Sequence, residues 1–275
     1  MLGAIIGDIV GSRFEFNNHR NKDFELFTDQ CRITDDSVMT LAVAKALIEA
    51  EKTKVNSVAK YQNEHDYYAL VENMTIRYMQ EIGRKYPNCG YGGMFSQWIF
   101  CDKPKSYNSF GNGAAMRVSP VGYFARTESE AIKLSKAVTI VTHDHLEGIK
   151  GAEATVEAIF MARCGFKKDA IRNKINRDYY SLDFTIDQIR DTYQFNETCQ
   201  KTVPQAIQAF LESTSFEDAI RTAISLGGDS DTLAAITCSI AEAYYGIPEE
   251  IKEKALTYLD DDLRVIYDEW IAFIK

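Results

Sequence analysis

The sequence predicts an all-α fold, read as one domain over residues 1–275, and three observations predict it. Apolar side chains recur at helical spacing through most of residues 37–274. Stretches that alternate apolar and polar residues, the mark of half-buried strands, are hard to find. With only five prolines and no repeat, low-complexity tract or Ser/Gly-rich linker, nothing divides the chain.

At the N-terminus, Gly3, Gly7 and Gly11 recur every four residues, so a helix there carries three small residues on one face and can pack closely. If that helix runs on, Asp8 and Glu15, seven apart, share another face. Residues 37–50 have apolar side chains on nearly every side, among them Val38, Met39, Leu41, Val43 and Leu47, as expected of a buried central helix. The stretch 83–113 matches no periodicity. It holds Gly83, Gly90, Gly92, Gly93, Gly111 and Gly113 among aromatics, and a long glycine-rich connection in a compact domain is more often a binding loop than a spacer. Ile149, Ala152, Val156, Ile159 and Phe160 return to helical spacing, and Gly165 sits where a C-terminal glycine would end that helix. Ser215-Phe216-Glu217-Asp218 resembles a capping-box start for a run to about Leu226. Residues 231–245 repeat the buried pattern and stop at Gly246, with Pro248 just beyond. A last helix, about 263–274, closes the chain.

A chain of 275 residues that is 45% hydrophobic and 26% charged can bury a substantial core and is ordinary for a globular protein. Its net charge of −9 argues against a broad basic footprint for nucleic acid or an anionic membrane. Most of the excess acid reads as solvated surface. The six cysteines (31, 89, 101, 164, 199 and 238) form no CxxC pair, so neither a zinc cage nor a disulfide framework is indicated, and reduced buried thiols are expected. The N-terminal apolar run has no basic residues before it and is interrupted by Asp8, and no stretch is long enough to span a bilayer. The expected location is the cytoplasm.

Two acidic clusters each sit at the entrance of a buried helix. Thr34-Asp35-Asp36-Ser37 precedes the apolar run 38–48, and Gly227-Gly228-Asp229-Ser230-Asp231-Thr232 precedes 233–245. Helix capping accounts for one residue per cluster. It does not account for two aspartates each time at the end of a buried helix, because carboxylates buried without a counter-charge are costly. Adjacent carboxylate and hydroxyl oxygens are the ligands that Mg²⁺ and Mn²⁺ prefer. Gly111-Asn112-Gly113-Ala114-Ala115-Met116-Arg117 is a glycine turn whose amides are candidates for phosphate oxygens, although it has neither Walker A nor GxGxxG spacing. In Thr142-His143-Asp144-His145 the two histidines alternate, and chelation by both would need a strand or loop. A metal role for them is the weaker reading.

Taken together, these pieces resemble the ADP-ribosylglycohydrolase family, relatives of the dinitrogenase-reductase-activating glycohydrolase. The matching strings are Gly7-Asp8-Ile9-Val10-Gly11-Ser12-Arg13-Phe14-Glu15, Thr34-Asp35-Asp36, the Gly90–Gly93 loop, Ser109-Phe110 followed by the glycine turn, Thr142-His143 and Gly228-Asp229-Ser230-Asp231-Thr232. The resemblance implies a single all-α domain with two Mg²⁺ or Mn²⁺ ions in a cleft. Thr34, Asp35, Asp36 and Asp231 would hold one ion; Asp229, Asp231 and Thr232 would hold the other, with Asp231 bridging. Gly90, Tyr91, Gly92, Ser109, Phe110, Gly111, Asn112, Gly113 and His143 would line the site for ADP-ribose, with Phe110 or Tyr91 against a ribose or the adenine. Glu15, with Asp36 as the other candidate, would be the acid/base. The implied reaction is hydrolysis of the bond between ADP-ribose and an acceptor, on an ADP-ribosylated protein or a small molecule. Ser37 and Ser230 differ from many relatives at non-ligand positions. Asn88 stands in a loop where some arginine-specific relatives carry an acidic residue, so the acceptor is open. Two other readings are a metal-dependent phosphohydrolase, with no HD or Nudix string to support it, and a non-catalytic relative that binds ADP-ribose or serves structurally. Intact Asp35, Asp36, Asp229 and Asp231 favour the enzyme.

Overall fold

The three N-terminal glycines determine how the centre of the molecule is built. In the computed structural model, which describes residues 1–56 and 63–274, α1 (Leu2–Gly11) is buried along its whole length. It lies along α13 (Ser230–Tyr245), the helix behind the second acidic cluster. A Cβ on Gly3 would stand 2.2 Å from the Cys238 carbonyl oxygen, one on Gly7 2.3 Å from the Ala234 carbonyl, and one on Gly11 2.5 Å from Asp231 Cα. The two backbones touch.

The rest of the chain is wound around this pair. The helix α2 (Asp35–Asn56) is buried from Asp36 to Ala50 except at Lys45 and Glu49, as its apolar residues on every side require. It packs on α3 (Glu64–Gly83) and α15 (Asp261–Phe273), as well as on α1. Between α3 and the middle of the chain come the short α4 (Gly93–Phe100), α5 (Gly113–Met116) and α6 (Ser119–Phe124), then α7 (Glu128–Thr139) and α8 (Leu146–Arg163). The chain continues through α9 (Lys168–Asp178), α10 (Ile186–Ile189), α11 (Cys199–Glu212) and α12 (Phe216–Ile224), and α14 (Glu249–Leu256) follows α13. Helices α8, α11 and α12 cover the sides of α13 away from α1. Among the described residues there is no strand, only one antiparallel bridge between Gly111 and Thr198.

The expected helix ends hold at the positions where a specific residue makes them. Gly165 and Gly246 both take left-handed backbone, at φ 80° and 76°, just past α8 and α13. Ser215 caps α12 by accepting from the Asp218 amide, but the box is not reciprocal. The Asp218 carboxylate turns back to the Thr214 amide, one residue earlier than a capping box needs. Two expectations fail. The stretch 83–113 is not all loop, because Met94, Phe95, Trp98 and Ile99 form α4, whose apolar positions are too few to show a period. The cysteines are all free, but Cys101 and Cys164 are exposed rather than buried.

Substituting Gly7→Ala should destabilise the protein by about 2–3 kcal/mol or more. The new methyl meets backbone that cannot move aside, and the gain in helix propensity is no more than about 1 kcal/mol. Urea denaturation measures it, and wild-type stability would show that α1 and α13 are not in backbone contact.

Candidate active site

The entrance of α2 is capped by a residue from another helix. Asp8, fully buried in α1, accepts hydrogen bonds from the Thr34 amide (2.9 Å), the Ser37 amide (3.0 Å), the Thr34 hydroxyl (2.6 Å) and the Ser37 hydroxyl. This carboxylate satisfies two of the amides at the helix entrance and opposes the positive end of its dipole. Asp35 and Asp36 are therefore not needed as caps. Asp36 is 3% exposed, and one of its oxygens accepts from the Thr232 hydroxyl at 3.3 Å. Its other oxygen, Oδ1, is buried without a partner. Asp35 is partly exposed, and its amide donates to the Cys89 carbonyl at 2.9 Å, which ties the glycine loop to the start of α2.

The second cluster is shaped by two glycines in left-handed backbone, Gly227 at φ 71° and Gly228 at φ 75°. The Asn18 side chain accepts from the Gly228 amide at 2.7 Å and holds this turn. Asp229 stands at the N-cap position of α13 but makes no capping bond; it accepts from the Asn112 side chain at 2.6 Å. Asp231 follows, buried, with Gly11 of α1 against its backbone. Glu15, Asp229 and Asp231 each place a carboxylate oxygen within 4.8 Å of the others.

Glu15 reaches this group by a route the sequence does not predict. Helix α1 stops at Gly11, where Ser12 donates its hydroxyl back to the Ile9 carbonyl, and the Phe14 amide turns onto the Gly11 carbonyl. Asp8 and Glu15 thus share no helix face. Glu15 lies on a turn over the end of α1.

The electrostatics are those of acids without counter-ions. None of the described ion pairs involves Asp8, Glu15, Asp35, Asp36, Asp229 or Asp231. Burial, and then the neighbouring Asp231, raise the carboxyls of Asp35 and Asp36 far above the usual range. Asp231 is raised likewise, by burial and by Asp229. Burial lifts Asp229 to about 6, with Asn112 among the groups that oppose the rise. Burial and Asp231 lift Glu15 to about 8, with Arg32 opposing. Such a group either holds protons or holds a cation, and oxygen-only donors with one oxygen left bare fit a hard divalent ion. The residues present fit the ions.

These acids form one end of a cavity of about 360 Å³. Asp35, Asp36, Asp229, Asp231, Thr232 and Glu15 are on its wall, while Thr34 is buried with its hydroxyl hydrogen given to Asp8. Gly90, Gly92, Ser109, Phe110, Gly111, Asn112, Gly113 and His143 are all on the wall. Gly90 takes φ 117° and sits over Asp35, whose carboxylate would be 3.0 Å from a Cβ there. Tyr91 is not on the wall of this cavity. Its side chain packs edge-on against Phe95, and its hydroxyl donates to the Gly83 carbonyl. In the glycine turn the Gly111 amide donates to the Ser109 hydroxyl and the Asn112 amide to the Glu197 carbonyl. A Cβ on Gly113 would lie 3.3 Å from His143 Nε2, closer than ordinary contact, and one on Gly111 3.5 Å from the same atom. His145 caps α8 and Asp144 accepts from Ser106 and Asn108, so the two histidines form no metal pair.

Some functional positions escaped the sequence reading. Phe195, Glu197 and Thr198 close one side of the cavity, held to the glycine turn by the Cys199 amide on the Phe110 carbonyl. They lie in no recognisable motif. Asp8 could have been found, because an aspartate inside Ala4-Ile5-Ile6-Gly7-Asp8-Ile9-Val10 must have partners to be buried there. Arg117 lines the cavity too, fully buried.

The fold and the site together define an all-helical protein with an acidic cleft between two helix entrances. The ADP-ribosylglycohydrolase family profile matches residues 1–273, and the chain belongs to that family. It is 23% identical to the ADP-ribosylhydrolase ARH3 of Xenopus tropicalis over 94% of this chain and 91% of the relative, and 25% identical to human ARH3 over 96% and 90%. The ADP-ribosylarginine hydrolase Tri1 of Pseudomonas putida is 28% identical over 92% of this chain and 72% of its own. A solved structure titled ADP-ribosylglycohydrolase-related protein complex superposes with a TM-score of 0.64 at 20% identity, covering 96% of this chain and 93% of that one. No helix among the described residues is long and apolar enough to cross a membrane.

The raised carboxyls fix the sign of a pH effect. At pH 6 Glu15 holds a proton and Asp229 about half of one, so a cation must displace them, and its apparent affinity should rise at least about tenfold between pH 6 and 8. Without cation, the folded chain binds protons that the unfolded chain releases, so its stability should fall as pH rises from the ordinary carboxylate range through about 8. Calorimetric Mn²⁺ titrations in buffers of different ionisation enthalpy measure the proton release. Affinity that is flat with pH would refute it.

Proposed function

We propose that this protein hydrolyses the glycosidic bond joining ADP-ribose to an acceptor, using two Mg²⁺ or Mn²⁺ ions held between the entrances of α2 and α13. The observation that carries this reading is the convergence of Asp36, Asp229, Asp231 and Glu15 at one end of the cavity, with a bare, buried Asp36 Oδ1 among them. Thr34, Asp35, Asp36 and Asp231 would hold one ion and Asp229, Asp231 and Thr232 the other. Thr34 gives its hydrogen to Asp8 and Thr232, on the cavity wall, gives its own to Asp36, so each hydroxyl oxygen is left as an acceptor. When bound, the ions supply positive charge that orients the ribose hydroxyls and makes water more acidic.

The protein's own groups do the rest. Glu15, on the cavity wall with a carboxylate oxygen within 4.8 Å of those of Asp229 and Asp231, is placed to give a proton to the departing acceptor as the anomeric carbon takes on oxocarbenium character. Asn112 holds Asp229, and Asp8 holds Thr34 and Ser37, so the ligands are fixed before substrate arrives. Phe110, 44% exposed on the cavity wall, offers a face for a ribose or the adenine. Beside Glu15, Phe16 stacks on Phe195 with ring centroids 6.0 Å apart, and Glu197 stands two residues from Phe195. A rim of exposed aromatics and a carboxylate suits a planar cation, so we take an arginine guanidinium as the acceptor. The similarity to the ADP-ribosylarginine hydrolase Tri1 supports that choice.

The test is a panel of arginine-, serine- and small-molecule-linked ADP-ribose substrates with Mg²⁺, reading free ADP-ribose by mass spectrometry. Turnover is expected on the arginine linkage, lost with a chelator and in Asp231→Ala. Glu15→Gln should still bind ADP-ribose but turn over about 10²-fold more slowly or worse. No release from any substrate would overturn the proposal, and wild-type rates in Glu15→Gln would remove Glu15 from the chemistry.

A further inference from the structure

Among the described residues Arg117 is the one large cationic side chain buried completely against the cleft, and none of the described ion pairs gives it a carboxylate. Its guanidinium lies 5.3 Å from the centre of the Phe95 ring, and burial lowers it to about 10, which leaves it charged at neutral pH. One nitrogen, Nη2, donates to the Thr142 hydroxyl at 2.6 Å and stands 3.4 Å from His143 Nδ1. The Thr142 hydroxyl is itself 2.7 Å from the same Nδ1.

Donor counting fixes the directions. A guanidinium only donates, so Thr142 Oγ1 accepts from Arg117 and has one hydrogen of its own to give. That hydrogen has Nδ1 beside it. A proton on Nδ1 would point at a guanidinium N–H and at an oxygen already receiving one. Nδ1 therefore accepts, and the imidazole proton sits on Nε2. Nε2 is the nitrogen that faces Gly111 and Gly113, where a Cβ would lie 3.5 and 3.3 Å from it. Burial, and then the nearby Arg117 charge, both disfavour a second proton on the ring.

We propose that Arg117 and Thr142 are positioning residues that fix His143 as a one-directional Nε2–H donor into the cleft between Gly111 and Gly113. The oxygen it takes is an acceptor-only one, the diphosphate of ADP-ribose. That ligand identity rests on the function proposed above, while the tautomer does not. Arg117 acts through Thr142, and its positive charge also balances part of the acidic end for a dianionic ligand.

The full chain is labelled with ¹⁵N-histidine and its imidazole nitrogens are read by long-range ¹H–¹⁵N NMR at pH 7, with the His143 signals among the four histidines assigned through His143→Gln. The expected pattern is a bare Nδ1 and a protonated Nε2. A protonated Nδ1, or an imidazolium, would overturn the inference. Thr142→Val keeps the shape and removes the nearest donor to Nδ1. Its Nδ1 signal should move and ADP-ribose affinity should fall about tenfold by calorimetry, the usual loss for one hydrogen bond. Thr142→Ser should restore both. An unchanged nitrogen pattern with unchanged affinity in Thr142→Val would overturn the positioning role. If the wild-type chain binds no ADP-ribose, the proposed function fails, and the nitrogen pattern alone decides the present inference.

Discussion

The contact between α1 and α13 admits no Cβ at three successive turns, and the position of nearly every acidic group follows from it. Because the backbones touch, Asp8 is carried into the interior at the depth of the α2 entrance, where it caps that helix. Because Gly11 lies on the Asp231 backbone, the end of α1 and its following turn bring Glu15 to the entrance of α13. A side chain at any of these glycines would push the helices apart by ångströms, and the carboxylates would no longer share one space. Gly3, Gly7 and Gly11 thus forgo helix propensity of up to about 1 kcal/mol each in return for a distance no other residue allows.

That distance creates an electrostatic strain that the rest of the structure contains rather than relieves. Carboxylates gathered without lysine or arginine are destabilising in an empty cleft, which is why their protons are held to higher pH. The surroundings offer partial compensation: amides and hydroxyls on Asp8, the Asn112 amide on Asp229, the Thr232 hydroxyl on Asp36. None of these is a full charge. The uncompensated remainder would give the site affinity for a cation, because a ligand that removes repulsion binds more tightly than one entering neutral surroundings. A basic side chain in an ion pair with these carboxylates would fill the cation's place, and none of the described ion pairs puts one there.

Much of this was legible in the sequence, and the parts that were not share a cause. Helices with a continuous apolar pattern, α2, α8 and α13, declared themselves, and so did their glycine ends at Gly165 and Gly246. The two helix-entrance clusters stood out because capping explains only one residue of each. What stayed hidden depends on contacts between residues far apart in the chain. That Asp8 caps α2 needs the register of α1 on α13. That Glu15 lies on a turn needs Ser12 to close the helix against Ile9. Tyr91 and Phe110 look alike in sequence, yet one hydroxyl is drawn to Gly83 and away from the cleft while the other ring stays on the wall. Spacing alone holds no information on which way an aromatic in an irregular segment turns.

The cavity wall offers two different means of holding negative charge. Acids stand between the entrances of α2 and α13, while Arg117 and His143 stand by the glycine turn, whose Asn112 also reaches Asp229. With cations on the acids both features would favour negative charge, one as a point charge and the other as fixed N–H donors. A ligand with a diol at one extremity and a diphosphate in its middle satisfies both only in one direction. Reversed, it would set an apolar base against the ions and leave the His143 proton without an acceptor, and each buried unmet polar group costs about 1–3 kcal/mol. On the proposed function, a ligand held in that single direction would have its scissile bond at Glu15, whose place is fixed by the packing of Gly11 on Asp231.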